Sequence, residues 1–347
     1  MCNGFERDFF SVSKINWNKK IDKKKLHTIK SIVKKNISPL NFIIKQNSGR
    51  ELNSNNFKLI LKSKKFILKR WSRKMKISEI KDIIDLIVWL DYNKINTPIP
   101  QKFNNNKYIV KNKNEYWSYF NFVDGNHFKG QIKEMKNVAK FVGIFMDRLK
   151  KYRNKNIKKT YKYFSKEDSD ILKFLEKNFL NLDNFFSKEH AKQIKKKLPE
   201  IINLFNTLKR KKIKKEKTNL IHMDIHPHNL ITENSKVKAI LDLDSCVKGE
   251  IGHALSYTIL KICKQTAVFN NKLIKKNIKK IFVREIKKNY KLNKTIENNF
   301  YYYALSEVLR RLIVMFKLSI KRNNRSWNNV IPIQLNHINE CKTLFLN

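Results

Sequence analysis

Residues 221–231 read Ile221-His222-Met223-Asp224-Ile225-His226-Pro227-His228-Asn229-Leu230-Ile231, and residues 237–245 read Val237-Lys238-Ala239-Ile240-Leu241-Asp242-Leu243-Asp244-Ser245. Residues 229–232 and 237–241 form two short, largely apolar arms. Between them lies Glu233-Asn234-Ser235-Lys236, a polar run of the kind that closes a tight turn. Pairing of the arms as a hairpin would set Asn229, at the start of one, beside Asp242, at the end of the other. An amide oxygen and a carboxylate brought together make a hard, oxygen-only donor set suited to Mg²⁺. Asp224 comes five residues before Asn229, on the loop entering the hairpin, where it can face a substrate hydroxyl. Asp242 and Asp244 are two apart, so an extended chain carries both on one face. One carboxylate for a hydroxyl proton, plus an amide and one or two carboxylates for a metal, is what phosphoryl transfer requires. Its catalysis is mostly positioning and neutralisation of phosphate charge.

Outward from this segment the chain changes character. On the N-terminal side, residues 41–45, 57–61 and 66–70 read as short strands, with a polar loop over 46–56 that contains Gly49. From Ser78, a candidate N-cap, to about residue 92, Ile80, Ile83, Ile84, Ile87 and Val88 recur at helical spacing. Pro98 and Pro100 end that helix. Residues 108–110 and 116–122 read as strands closed by Asp124-Gly125. Over 131–150, Ile132, Met135, Val138, Ala139, Val142, Phe145, Met146 and Leu149 share one helical face. The basic stretch to about residue 165 reads as a solvated connector. Helical patterns follow over 169–183 and 187–209 and again beyond Ala254, including 296–321 and about 334–346. A mostly β N-terminal third, then a helical body with one small β insert, predicts an α+β fold of two lobes.

His222-x-Asp224-x-x-x-x-Asn229, followed by Ile240-Leu241-Asp242-Leu243-Asp244, resembles the aminoglycoside phosphotransferase and choline kinase-like superfamily of small-molecule kinases. Their loop reads roughly HGDxHPGN, ahead of a strand ending IDFD or IDWE. The resemblance implies a protein kinase-like fold: a small β-rich N-lobe over residues 39–122 and a larger helical C-lobe over 123–347; residues 1–38, Lys-rich with sparse apolar positions, read as a helical or irregular basic extension. It implies Asp224 as the catalytic base and Asn229 and Asp242 as Mg²⁺ ligands, with Asp244 as a second-metal or orienting residue. Residues 49–56 (GRELNSNN) supply a phosphate-covering loop, and residues 53–57 resemble that of homoserine kinase-type members, which sets Gly49, Asn53 and Asn55 against the nucleotide. Lys69, ending a strand, stands as the phosphate-steadying lysine. Its carboxylate partner on the 78–92 helix is open among Glu79, Asp82 and Asp85. Residues 119–125 (YFNFVDG), including Phe120 and Phe122, resemble the segment between lobes whose backbone meets adenine. His222 is read as a structural histidine that braces the loop. Met223 and His228 stand where the family usually has Gly, and Ala254-Leu255-Ser256 lacks the Asp of an Asp-Leu-Ala run that usually braces the catalytic loop. The implied cofactors are ATP and Mg²⁺, and the implied partner is a small molecule bearing a hydroxyl.

The chain has 347 residues and a formal net charge of +47. That charge draws attention to nucleic acid or an anionic membrane surface as partner. Of the 76 basic residues, however, 12 are Arg and 64 are Lys, whereas bidentate phosphate contacts and base readout favour Arg. The lysines are spread along the whole chain and enriched together with Asn and Ile, as in an AT-rich coding sequence. No apolar run reaches the ~18 residues of a membrane helix. The N-terminus shows no secretory pattern, and four scattered cysteines without a CxxC pair exclude a disulfide framework. A cytoplasmic protein is expected. Acids such as Glu250, Glu297 and Glu307 are few, which favours a neutral or anionic acceptor (a sugar, sugar derivative or amino alcohol) over a polycationic antibiotic. Met223, His228 and Ala254 motivate the alternative of an inactive kinase-like nucleotide- or ligand-binding protein. A polyanion-binding protein with an incidental motif is the third reading.

Overall fold

The computed structural model describes residues 17, 20–39, 41–46, 55–153, 157, 159–161, 163–211, 217–270, 275–322 and 328–346. Six strands build the N-terminal sheet: β1 (Phe42–Gln46), β2 (Asn56–Leu61), β3 (Lys64–Arg70), β4 (Pro100–Gln101), β5 (Val110–Asn112) and β6 (Glu115–Asn121). Their order is β1-β2-β3-β6-β4, with β5 also on β6, and every pairing is antiparallel. The alternation of β2 turns Phe57 and Leu59 inward, where they meet Leu68 of β3 and Trp117 of β6. Opposite Lys69 stand Asn56 on β2 and Ser118 on β6. The register therefore fixes that lysine between two strands rather than at a free end.

Helix α1 (Lys23–Asn36) precedes the sheet. It lies in the stretch read from sequence as a basic extension, yet Ile29, Ile32 and Val33 are buried in one cluster with Phe57, Leu59, Leu68 and Trp117. Its lysines face outward while Ile29, Ile32 and Val33, at helical spacing, cover the sheet.

Helix α2 (Ile77–Tyr92) follows β3 and buries Ile80, Ile84, Leu86, Ile87 and Leu90. Its N-cap is Lys76 rather than Ser78. The Lys76 N–H is donated to the Glu79 carboxylate at 2.7 Å, a contact that satisfies an otherwise orphaned group at the helix start.

The lobes are joined by β7 (Asn126–His127) and helix α3 (Ile132–Lys151), whose predicted apolar face is buried from Met135 to Leu149. Helices α4 (Lys166–Lys177), α5 (Lys188–Arg210), α6 (Ile251–Phe269), α7 (Lys275–Lys287), α8 (Lys294–Asn298), α9 (Phe300–Arg322) and α10 (Ile331–Phe345) form the C-terminal body. Strands β8 (Asn219–His222), β9 (Leu230–Glu233), β10 (Lys236–Ile240) and β11 (Cys246–Gly249) make the predicted β insert. The basic connector before α4 is not merely solvated. Lys159 O accepts from Lys248 N at 2.8 Å and Tyr161 N donates to Lys248 O at 2.7 Å, so the segment docks along β11. A second, larger apolar cluster runs through this body and takes in Trp71, α2 and Phe120 from the sheet side.

Candidate active site

Residues 219–249 fold as two interlocked strand pairs. β9 and β10 form the hairpin, with Ile240 opposite Leu230, while β11 pairs with β8 so that Cys246 stands opposite His222. Asn234 and Ser235 at the hairpin turn have φ of 48° and 64°, the backbone of a tight two-residue connection. One position beyond the last pair, Leu241 N donates to Asn229 O at 2.9 Å. Asn229 and Asp242 are thereby set at neighbouring positions of the two arms.

The loop between β8 and β9 is held from within. His222, fully buried, accepts from Asp224 N at Nδ1 (3.1 Å), so its proton sits on Nε2 and is donated to Leu241 O (3.1 Å). Burial lowers its pKa and keeps it neutral, and in that form it joins the loop to the hairpin as a brace. Pro227 opens a short 3₁₀ turn capped by His226, whose Nδ1 accepts from His228 N at 3.3 Å. His226 Nε2 then lies 3.4 Å from Asp224 Oδ2. Asn229 Nδ2 donates to Asp224 O at 2.9 Å and to Asp224 Oδ2 at 3.2 Å.

Asp242 has φ 55° and ψ 50°, a left-handed conformation that Asp tolerates better than most residues. The twist turns the chain from β10 into a 3₁₀ turn at Leu243–Ser245. Lys69 Nζ lies 3.3 Å from Asp244 Oδ2 and 3.8 Å from Asp242 Oδ1, with the Trp71 ring 4.6 Å away. Burial favours the neutral acid at both aspartates. At Asp244 the Lys69 charge and hydrogen bond outweigh it and lower the pKa. At Asp242 burial prevails, and the charges of Asp244 and Asp224 add to it, so that carboxyl is raised. A carboxyl crowded by like charges is one that a cation would stabilise. Among the described residues no cluster of three or more His, Cys, Asp or Glu side chains could hold a metal alone. The donors at the hairpin end, the Asn229 amide oxygen and the Asp242 and Asp244 carboxylates, are hard oxygens of the kind Mg²⁺ takes, commonly one or two carboxylates with substrate phosphates and water completing the shell.

Residues 43–273 match the model of the family described as phosphotransferase enzymes. The chain belongs to the phosphotransferase enzyme family. No curated protein sequence matches it. Similar solved structures include a spectinomycin phosphotransferase in complex with ADP and spectinomycin (17% identity, TM-score 0.61, 90% of this chain and 93% of that one). An amicoumacin kinase with AMP-PNP and Ca²⁺ is 13% identical with a TM-score of 0.60, over 93% and 94% of the two chains. A microcompartment-associated aminopropanol kinase is 11% identical with a TM-score of 0.59, over 91% and 95%. At these identities the likeness shows the shared two-lobed kinase fold.

The remaining candidate residues of this phosphotransferase lie mostly on the N-terminal sheet and its edge. Gly49 and Asn53 lie outside the described residues. Asn55 stands just ahead of β2, where its side-chain oxygen accepts from Arg70 Nε (3.1 Å) and Nη2 (2.8 Å). Phe120 is buried, opposite Ile67 of β3 and Pro100 of β4. Phe122 lies past the end of β6, with Lys58 Nζ 4.0 Å from its ring centre. Of the three acids considered for Lys69, Glu79 is turned to the start of its own helix.

One participant escaped the sequence reading. Arg311, on α9, reaches Asp224 Oδ1 at 2.9 Å and Met223 O at 2.8 Å. Burial opposes ionisation of Asp224, but the charges of His226 and Arg311 together hold its carboxyl well below the usual range. The phosphotransferase thus keeps an anion at the centre of its loop. Arg311 stands 87 residues from Asp224, so the only sequence signal was an Arg310-Arg311 pair in a chain that otherwise prefers Lys.

Proposed function

We propose that this phosphotransferase moves the γ-phosphate of ATP to a hydroxyl of a small molecule: a sugar, sugar derivative or amino alcohol. The observation that carries the reading is the convergence of Lys69 from the sheet with Asp242 and Asp244 from the hairpin end, beside an ionised Asp224. Asp224 orients the acceptor hydroxyl and takes its proton late, since a carboxylate held so acidic is a weak base. This suits a loose transition state in which little charge builds on the nucleophile. Asn229, whose amide nitrogen is turned to Asp224, offers its oxygen together with Asp242 and Asp244 to Mg²⁺. When bound there, the metal would neutralise phosphate charge. Lys69 steadies the nucleotide phosphates, and Asn55 anchors the end of the phosphate-covering loop on Arg70. The Phe120 backbone is paired on both sides and the Phe122 N–H is donated to Lys65 O (3.2 Å), so adenine meets the linker from Phe122 onward. In this reading residues 39–122, with α1 added, hold the nucleotide, residues 123–347 hold the acceptor, and the reaction is cytoplasmic.

The acids near the acceptor side support a neutral or anionic acceptor, because they are engaged internally. Glu307 bonds Arg310, Arg311 and Tyr161, Glu250 accepts from Tyr303, and Glu297 pairs with Lys287. The test combines a Mg²⁺-ATP thermal-shift titration with transfer from γ-labelled ATP to a panel of sugars, amino alcohols, homoserine and spectinomycin. The expected result is stabilisation by Mg²⁺-ATP and transfer to at least one neutral hydroxyl compound. Asp224→Asn lowers kcat by roughly 10²- to 10⁴-fold, the usual span for a positioned acid–base group, and Asp242→Ala removes the response to Mg²⁺. Full turnover in either variant would remove this mechanism. Stabilisation by Mg²⁺-ATP without transfer to any acceptor or to water would identify a binding protein instead.

A further inference from the structure

The catalytic loop is restrained from a helix far along the chain, and the restraint has the form of a single planar clamp. Arg311 uses three edges of its guanidinium. Nη2 donates to Met223 O at 2.8 Å, Nη1 to Asp224 Oδ1 at 2.9 Å, and Nε to Glu307 Oε1 at 2.6 Å. Its face lies over the Tyr257 ring at 4.1 Å, which fixes the plane as well as the position. Glu307 is fully buried and is itself held by Arg310 (2.7 and 2.8 Å) and by the Tyr161 hydroxyl (3.1 Å). Two cations around one buried anion leave a net positive charge beside Asp224, and the Asp224 carboxylate balances it. The N-cap of α6, Glu250, makes no side-chain cap bond and accepts instead from the Tyr303 hydroxyl (3.3 Å), the first turn of the helix holds no acid, and Ala254 is fully buried. The loop is therefore braced from α9.

We infer that Arg311 is a positioning residue: it sets the Met223–Asp224 peptide and one carboxylate oxygen at once, so that the remaining face of Asp224 is presented to the acceptor hydroxyl. The Asp224 oxygens are accounted for on this view. Oδ1 is taken by Arg311, and Oδ2 is bounded by His226 and Asn229. Such a carboxylate has little rotational freedom, and the direction of its unused lone pair is set before substrate arrives. Pre-set geometry of this kind lowers the barrier itself rather than the binding of nucleotide. Lysine cannot replace the clamp, because a compact ammonium lacks the fork that spans a carbonyl, a carboxylate and a second carboxylate in one plane. The role rests on the kinase reading of Asp224, but the restraint on the loop does not.

The experiment compares wild type, Arg311→Lys and Arg311→Met in the full chain, with two readouts. Amide hydrogen exchange followed by mass spectrometry reads the loop over residues 222–229 against β2 and β3 as an internal reference. Transfer from γ-labelled ATP, to the best acceptor of the panel and to water, reads kcat and the nucleotide KM. Exchange in the loop should accelerate at least tenfold in Arg311→Met while β2 and β3 are unchanged. Its kcat should fall about 100-fold with the nucleotide KM within threefold, and Arg311→Lys should recover only part of the loss. Absence of any transfer in wild type would count against the kinase reading alone, and the exchange comparison would still decide the restraint. Loop exchange and kcat within twofold of wild type in both variants would overturn the inference. So would loss of the folded transition in Arg311→Lys, since that would make the arginine a stability element rather than a positioning one.

Discussion

Behind the Asp224 loop sits His253, where burial dictates a protonation state. It lies against Tyr161 and Tyr303, with Nδ1 3.2 Å from the Ser306 hydroxyl, and burial pushes it down to about 4. In the unfolded chain a histidine titrates near 6.5. Between those two values the unfolded state binds a proton that the folded state refuses, so stability falls as pH drops through this window. Below about 4 the folded form is protonated too and the loss stops. The full contribution is about 3 kcal/mol. Urea denaturation at pH 7.5, 6 and 5 should show this decline, and His253→Gln should make it shallower. Equal slopes in both proteins would count against the assignment. His127, also lowered to about 4 by burial, adds to the same trend.

Elements were legible where a period was clean. The apolar face of α3 and the hairpin of β9 and β10 were visible because their residues recur at 3.6 and at strand spacing. The chemical set of Asp224, Asn229, Asp242 and Asp244 was visible because one short segment carries it. Helix α1 was missed as a core element because its lysines masked Ile29, Ile32 and Val33, and a single sequence does not say which face of a charged helix finds a partner. Arg311 was invisible for a different reason: no local window spans two distant helices. Gly125 shows how one position can decide an element. It has φ 147°, and a Cβ there would come within 2.6 Å of Ile231 Cγ2 and 2.9 Å of Thr232 O. The approach allows β7 to pair with β9, where Thr232 Oγ1 meets Asn126 O and Glu134. Gly125→Ala should destabilise the protein by roughly 2–4 kcal/mol, combining backbone strain with overpacking. The check is a denaturant midpoint read together with exchange at Thr232. An unchanged midpoint would mean the linker can shift without cost.

At the scale of the molecule, the lobes do not carry separate cores. Trp71, the inner face of α2 and Phe120 belong to the large C-terminal cluster, while α1 and the other face of the sheet form the small one. Removing residues 1–38 would uncover Phe57 and Trp117 and forfeit burial of Ile29, Ile32 and Val33. At ~1.5–3 kcal/mol for each side chain, the loss is roughly 5 kcal/mol or more. Calorimetry of the shortened chain should show a markedly lower melting temperature. A melting temperature equal to that of the full chain would make α1 dispensable.

The backbone of β10 is also fastened to the sheet side, since Ile240 N donates to Asn96 O at 3.1 Å, two residues before Asp242. The bond ties the strand that runs into Asp242 to the segment just past α2, so a change of backbone at residues 93–97 would be felt at Asp242 across two peptide units.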